Sequence, residues 1–346
     1  MSSKIKLASL GYKPSLDGLR ALAIILVVFS HANFKFFQNG GIGVSIFFTL
    51  SGFLITTLLL DEFDFKEKIS LKSFYIRRSF RLFPALYVML LVVGIYAIFY
   101  WTGQDQKNIF NDLLSSALYL YNISWSWGWG AKNYLVYHTW SLGVEEQFYL
   151  IWPFILIFFL KLKKKTTLIN CLIIFILMVW ILKAFNCFNY VAGSIVKESI
   201  FMGCLLALLR NTQKIPEKIN AIFPFISLFV LLYIGVFPNK YLNHINNTFL
   251  PNVVGIASSF LIIYLITENT LSSFFSNKYL VFIGKISYSL YIWHLPVFKM
   301  FFYHSTHPPI ISFILKFAVT IILSLLSWFL VEKSARDLGR KICEKD

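Results

Sequence analysis

Arg20 and His31 stand eleven residues apart in a stretch that is otherwise almost wholly apolar. At about 100° per residue, eleven steps make roughly three turns, so on a helix both side chains share one face. Their separation along the axis is about 16 Å, which puts Arg20 near one end of a membrane span and His31 in its other half. A guanidinium is a permanent cation that grips anions through a fork of donors. An imidazole titrates near neutral pH and can act as a general base. Either group costs free energy in an apolar segment, so both are candidates for function. The plainer readings are an interhelical polar contact for His31 and a side chain reaching to the interface for Arg20.

Three further sets carry chemistry. Thr139-Trp140-Ser141-Leu142-Gly143-Val144-Glu145-Glu146-Gln147-Phe148-Tyr149 brings two carboxylates into an apolar stretch. Either Glu145 or Glu146 could reach the depth of His31 and hold its imidazole in one tautomer, as in a hydrolase triad; the alternative is a solvated outer rim. Ser287-Tyr288-Ser289-Leu290-Tyr291-Ile292-Trp293-His294-Leu295-Pro296 places Tyr291 and His294 three apart on one helix face, with Pro296 expected to kink or end the stretch. His294 enters from the opposite side and reaches a depth like that of His31, as a catalytic or a structural histidine. Arg77, Arg78 and Arg81 cluster at a helix start and suit bidentate binding of phosphate. Trp140, Ser141, Tyr288 and Tyr291 are candidate substrate contacts beside these groups.

The elements that must position these residues are membrane-spanning helices. The chain has 346 residues, of which 58% are hydrophobic and 14% charged, and its mean hydropathy is +0.68. A soluble domain carries about 25% charge. Apolar runs such as 168–182 and 310–330 approach the roughly 20 residues that cross hydrocarbon. An all-α, polytopic fold with about ten spans is expected, at roughly 15–36, 42–60, 80–101, 138–160, 167–185, 194–210, 221–237, 249–267, 279–303 and 309–331. The net charge of +16 reads as topology signal rather than nucleic-acid binding. With both termini inside, the greater part of the 32 Lys and Arg residues falls on one side, which orients the chain as a multi-pass plasma-membrane protein. The first span carries polar residues and no clear cleavage site, so it reads as retained.

Residues 102–137 form the longest connection, on the outside. Tyr119, Tyr121, Trp125, Trp127, Trp129 and Tyr134 suit stacking on sugar rings or an interfacial aromatic segment. Cys171, Cys187, Cys204 and Cys343 are scattered, which suggests neither a disulfide framework nor a metal site. The chain reads as a single domain over 1–346, with no internal repeat and no appended soluble hydrolase-like domain.

Together these stretches resemble acyltransferase family 3, the membrane-bound acyltransferases that include O-acetyltransferases of bacterial surface polysaccharides. The resemblance rests on Ser15-Leu16-Asp17-Gly18-Leu19-Arg20-Ala21, His31, Gly43-Val44-Ser45-Ile46-Phe47-Phe48 and Ser51-Gly52-Phe53-Leu54-Ile55. It continues through Tyr75-Ile76-Arg77-Arg78, Arg81, Pro84, Trp140-Ser141-Leu142, Glu145 to Tyr149 and Ser287 to His294, in family order over nearly the whole chain. It implies a general-base or proton-relay role for His31, a donor-site role for Arg77, Arg78 and Arg81, and acyl-coenzyme A, commonly acetyl-coenzyme A, as donor substrate rather than resident cofactor. Ser334 stands where the family often has proline, so no role passes to Glu332.

The reaction expected from these parts runs across the bilayer. The donor docks from the cytoplasm on Arg77, Arg78 and Arg81, its arm passes Arg20, and His31, helped by Glu145 or Glu146, activates a hydroxyl of a carbohydrate or lipid-linked sugar arriving from outside. A transporter, flippase or polymerase for lipid-linked sugars is the rival class. It needs neither three arginines at a cytoplasmic helix start nor a His–Glu pair at one depth. Acceptor identity, acyl length and oligomeric state stay open at this stage.

Overall fold

The computed structural model describes residues 9–32, 37, 39–128, 135–185, 187, 196–215, 219–237, 246–300 and 309–344. Among them there are helices and no strand. α1 (Pro14–His31) starts at a proline, whose fixed φ suits the first turn. α2 (Ile42–Lys66) is followed by α3 (Leu71–Tyr100), which Ser70 caps by accepting from the Ser73 N–H at 3.3 Å. Then come α4 (Gly103–Ala117), α5 (Tyr121–Ser126), a single 3₁₀ turn (Tyr137–Thr139) and α6 (Trp140–Lys161). The chain continues through α7 (Lys165–Ala184), α8 (Glu198–Asn211), α9 (Ile222–Val236) and α10 (Asn246–Leu265). It ends with α11 (Thr270–Phe275), α12 (Lys278–Lys285), α13 (Ser287–Met300), α14 (Pro309–Leu326), a π-helical stretch (Ser327–Glu332) and α15 (Lys333–Glu344).

Every one of the ten stretches expected to cross the membrane carries a helix. By length and apolarity, six helices among the described residues are able to span, or seven if the pair α12 and α13, bent by 63°, makes one span. Of the others, Ile222–Val236 and the Phe249–Leu265 stretch of α10 fall under 18 residues, and α8 has 14. The chain is therefore a helical, membrane-spanning protein with six to seven candidate spans, and the figure of ten is not reached by this measure. The helix does not end at Pro296, since α13 continues past it to Met300, and a 63° bend lies between Lys285 and Ser287.

The connection at 102–137 is not a loop in its described part. α4 and α5 fold back onto the bundle, and Tyr119 and Tyr121 are buried. Trp125 packs edge-on against Tyr137 at 4.9 Å, while Trp127 is exposed. Trp129 and Tyr134 lie outside the described residues. The aromatics thus serve mainly as packing, with Asn122 and Gln147 hydrogen-bonded to each other at 3.0 Å beneath them.

The core sits around α2, whose seam with α8 brings the two backbones together. A Cβ on Gly52 would run into the Ile200 carbonyl, and one on Gly203 into the Thr49 carbonyl. Hydrophobic collapse gives little drive between helices in lipid, so such close backbone approach supplies the packing energy. Ser51, one residue from this contact, is held in place by it.

Candidate active site

α1 puts Arg20 and His31 on one face, as the eleven-residue spacing requires, but their surroundings differ. Arg20 Nη1 lies 2.8 Å from Asp17 Oδ1, and the other Asp17 oxygen accepts from the Tyr12 hydroxyl at 2.8 Å. Burial, then the hydrogen bond and charge of Asp17, push the Tyr12 phenol up to about 12, so it stays a donor at neutral pH. Arg20 therefore arrives oriented. With Arg78 and Arg81 of α3 it lines a cavity of about 80 Å³, joined there by Glu145 and Ser141 of α6 and by Tyr288 and Tyr291 of α13.

Every binding residue inferred from sequence, apart from Arg77 and Trp140, lines this cavity. Arg78 lies over the Tyr149 ring at 5.0 Å. Tyr288 donates to the Leu82 carbonyl at 2.6 Å, which ties α13 to α3. Glu145 accepts from Ser51 Oγ at 2.7 Å. Glu146, the next residue on α6, has a buried oxygen, Oε1, with no hydrogen-bond partner. Trp140 instead packs against Phe48 at 6.1 Å and carries Lys197 over its ring at 5.0 Å. Arg77 sits at the rim, 4.0 Å from Glu62 and 38% exposed. It lines a second cavity of about 270 Å³, of which Arg78 and Arg81 are also walls. The two cavities thus share two arginines between them.

His31 stands away from the carboxylates. Its neighbour is His294, with ring centroids 5.0 Å apart, and His294 in turn lies 5.2 Å from His138. The pairing of His31 with Glu145 or Glu146 expected from depth is not formed: among the described residues, Glu145 bonds to Ser51 and His31 to a backbone carbonyl. Tyr291 links the two groups. Its Oη lies 2.7 Å from Ser141 Oγ and donates to the His138 carbonyl at 2.8 Å, and its ring is 5.6 Å from that of His294.

Backbone carbonyls fix the tautomer of all three imidazoles. A carbonyl can only accept, so the ring nitrogen facing it carries the hydrogen and a neutral ring leaves the other nitrogen basic. His31 Nδ1 faces Val27 O at 3.0 Å, which leaves Nε2 with the lone pair. His294 Nδ1 faces Tyr291 O at 2.6 Å, and its Nε2 is buried without a partner. His138 Nε2 faces Ile292 O at 3.1 Å, and its Nδ1 is buried without a partner. That last carbonyl is available because its helical donor would be residue 296, a proline without an N–H.

Sequence reasoning missed His138, Ser51, Asp17, Arg336 and Arg340 as site residues. Asp17 was within reach, since it lies three residues before Arg20 on the same face. His138 directly precedes Thr139-Trp140-Ser141 but has no partner at helical spacing. The others meet the site only through tertiary packing.

A membrane-spanning helical bundle with an arginine-lined cavity below a fixed-tautomer histidine fits a group-transfer protein. The comparisons agree: a family model described as an acyltransferase domain matches residues 13–330, and the chain belongs to acyltransferase family 3. It is 34% identical to the peptidoglycan O-acetyltransferase OatA of Listeria monocytogenes serovar 1/2a, over 95% of this chain and 56% of the relative. It is 29% identical to the O-acetyltransferase OatA of Staphylococcus aureus strain NCTC 8325, over 97% of this chain and 59% of the relative. The chain thus spans less than two thirds of the length of these relatives. No solved structure matches it.

Proposed function

We propose that this chain is a membrane O-acetyltransferase that takes an acetyl group from acetyl-coenzyme A at the cytoplasmic face and passes it to a hydroxyl of a cell-wall glycan, peptidoglycan above all, at the outer face. The relative named as a peptidoglycan O-acetyltransferase motivates the acceptor, and positive-inside charge motivates the direction. The observation that carries the reading is the placement of His31: its Nδ1–H is spent on Val27 O, so a basic Nε2 stands three turns above Arg20 on the same helix face.

The steps follow from that geometry. Arg77, Arg78 and Arg81 hold the donor phosphates, and the pantetheine arm passes through the cavity lined by Arg20, Ser141 and Tyr291 to bring the thioester to His31. The acceptor hydroxyl oxygen attacks the thioester carbonyl carbon while His31 Nε2 takes its proton. The tetrahedral intermediate collapses, the carbon–sulfur bond breaks, and the proton passes from His31 to the thiolate. Products are the O-acyl ester and free coenzyme A, and His31 returns to its neutral tautomer. Glu145 orders Ser51 and balances charge among the arginines rather than partnering His31.

The test is acetylation of surface glycan, read by mass spectrometry, in cells carrying His31→Ala or Arg20→Ala. Loss of a general base lowers the rate by about 10²–10⁴, so acetylation is expected to disappear. Wild-type acetylation in a correctly inserted His31→Ala protein rejects His31 as the base. Release of coenzyme A from labelled acetyl-coenzyme A by the purified chain separates transfer from transport of a lipid-linked sugar.

A further inference from the structure

The second cavity holds more positive charge than α3 supplies. Its walls are Arg77, Arg78 and Arg81 together with Arg336 and Arg340 of α15, with Phe74 alongside, around a volume of about 270 Å³. Arg336 and Arg340 are four apart and so project from one face of α15. The π-helical stretch Ser327–Glu332 precedes them, and such an extra-residue turn shifts the register of the helix beyond it. α15 then lies directly on α3: a Cβ on Gly339 would come within 2.8 Å of Phe80 Cβ, and Cys343 Sγ lies 3.6 Å from Ser73 O. This contact turns two arginines from the end of the chain toward three from the third helix.

Among the described residues, none of the five arginines of this cluster makes an ion pair shorter than 4.0 Å. Glu62 stands 4.0 Å from Arg77 and Asp337 stands 4.0 Å from Arg340, both at the limit of ion pairing. Glu332 accepts from Ser289 and acts electrostatically on Arg81 and Arg336 without a salt bridge to either. Arg336 Nε is buried with no hydrogen-bond partner, while its guanidinium rests on the Trp328 ring at 4.4 Å. A guanidinium stacked on a ring is held in one plane, which suits the planar fork that donates to phosphate oxygens.

We propose that Arg336 and Arg340 complete a five-arginine site for a phosphorylated nucleotide, the end of a thioester donor that carries a ribose phosphate besides its pyrophosphate. This rests on the acyl-transfer reading above for the identity of the donor. The three arginines of α3 supply one wall of the cavity. Those of α15 face them across the cavity and give the additional phosphate its own partners. A phospholipid headgroup offers the same phosphate chemistry, so the source must be read by experiment.

The probe is adenosine 3′,5′-bisphosphate, titrated calorimetrically into the purified full-length chain in phosphatidylcholine nanodiscs. Saturable binding is expected, weakened about tenfold by Arg340→Ala and by Arg336→Lys, with adenosine 5′-monophosphate also binding more weakly. Arg340 is 67% exposed, so its truncation spares the packing, while Arg336→Lys keeps the charge and removes only the fork. Because the probe has no acyl group, its binding is read whether or not the chain turns over a thioester. Turnover by the wild type combined with unchanged bisphosphate binding in both variants overturns this site and leaves the transferase reading intact. Absence of bisphosphate binding to the wild type, with phosphatidylglycerol nanodiscs stabilising the wild type but not Arg340→Ala, assigns the cluster to lipid headgroups and overturns the proposal.

Discussion

A neutral imidazole donates through one nitrogen and accepts through the other, and in His31, His138 and His294 main-chain carbonyls make that choice. The consequence is that the chemistry of the histidine cluster depends on groups with no side-chain signature. Tyr291 is the vulnerable point of this dependence, since its hydroxyl meets both Ser141 and the His138 carbonyl. Tyr291→Phe keeps the ring and strips the hydroxyl, leaving buried polar partners short of a bond, at about 1–3 kcal/mol. Thermal unfolding of the purified variant is expected to shift down, and thioester-dependent acetylation to fall with it; unchanged values for both would remove Tyr291 from the link. At this scale the sequence was partly readable. Arg20, Arg78, Arg81, Glu145, Ser141, Tyr288 and Tyr291 could be named because buried charge and polar residues in apolar spans stand out, and they do share a cavity. The partners could not. Ser51 and Glu145 are 94 positions apart, and His138 meets a carbonyl 154 positions away, so nothing local announces either contact.

Elements carry the site by their irregularities as much as by their regular turns. Pro296 was expected to kink or end its stretch; the helix does not end there, and the proline frees the Ile292 carbonyl for His138. Pro296→Ala restores an N–H that bonds this carbonyl within the helix and competes with His138 Nε2. The variant is expected to fold at least as stably as the wild type yet acetylate less, which thermal unfolding and glycan analysis on the same preparation would show. Full activity would mean that the His138 contact is ornamental. The α2–α8 seam answers differently. Gly52→Leu drives a side chain into the Ile200 backbone, which has no rotamer to yield. Overpacking costs about 1–3 kcal/mol or more, and the measurement is a lowered melting temperature together with displaced Ser51–Glu145 geometry and lost turnover. Helix placement along the chain was legible because apolar periodicity and run length are local. The bend between α12 and α13 and the helical folding of 103–126 were not, since both depend on what the segments pack against.

At the scale of the whole molecule the two ends are chemically unlike. α3 begins at the arginine cavities and runs 30 residues, about 45 Å, to Tyr100. The start of α7 is tied to the end of α2 by Lys165 and Asp64 at 3.0 Å, at the same end as those arginines. Run length alone left the number of crossings open, because helices of 14 and 15 residues are too short to be counted on apolarity. The proposed orientation rests on charge: with the excess of Lys and Arg taken as the cytoplasmic side, Lys163 is expected inside and Gln104, just past α3, outside. In a version with Cys171, Cys187, Cys204 and Cys343 replaced by serine, Gln104→Cys is expected to react with a membrane-impermeant maleimide in intact cells. Lys163→Cys should react only after the membrane is opened. The reverse pattern would put the arginine cavities outside, where no acyl-coenzyme A waits, and the donor would have to be sought among extracellular anions. The expected pattern leaves His31 nearer the outer surface and the arginine cavities within the cytoplasmic half, so that one helix face, Arg20 to His31, joins the proposed entry of the donor to the proposed base.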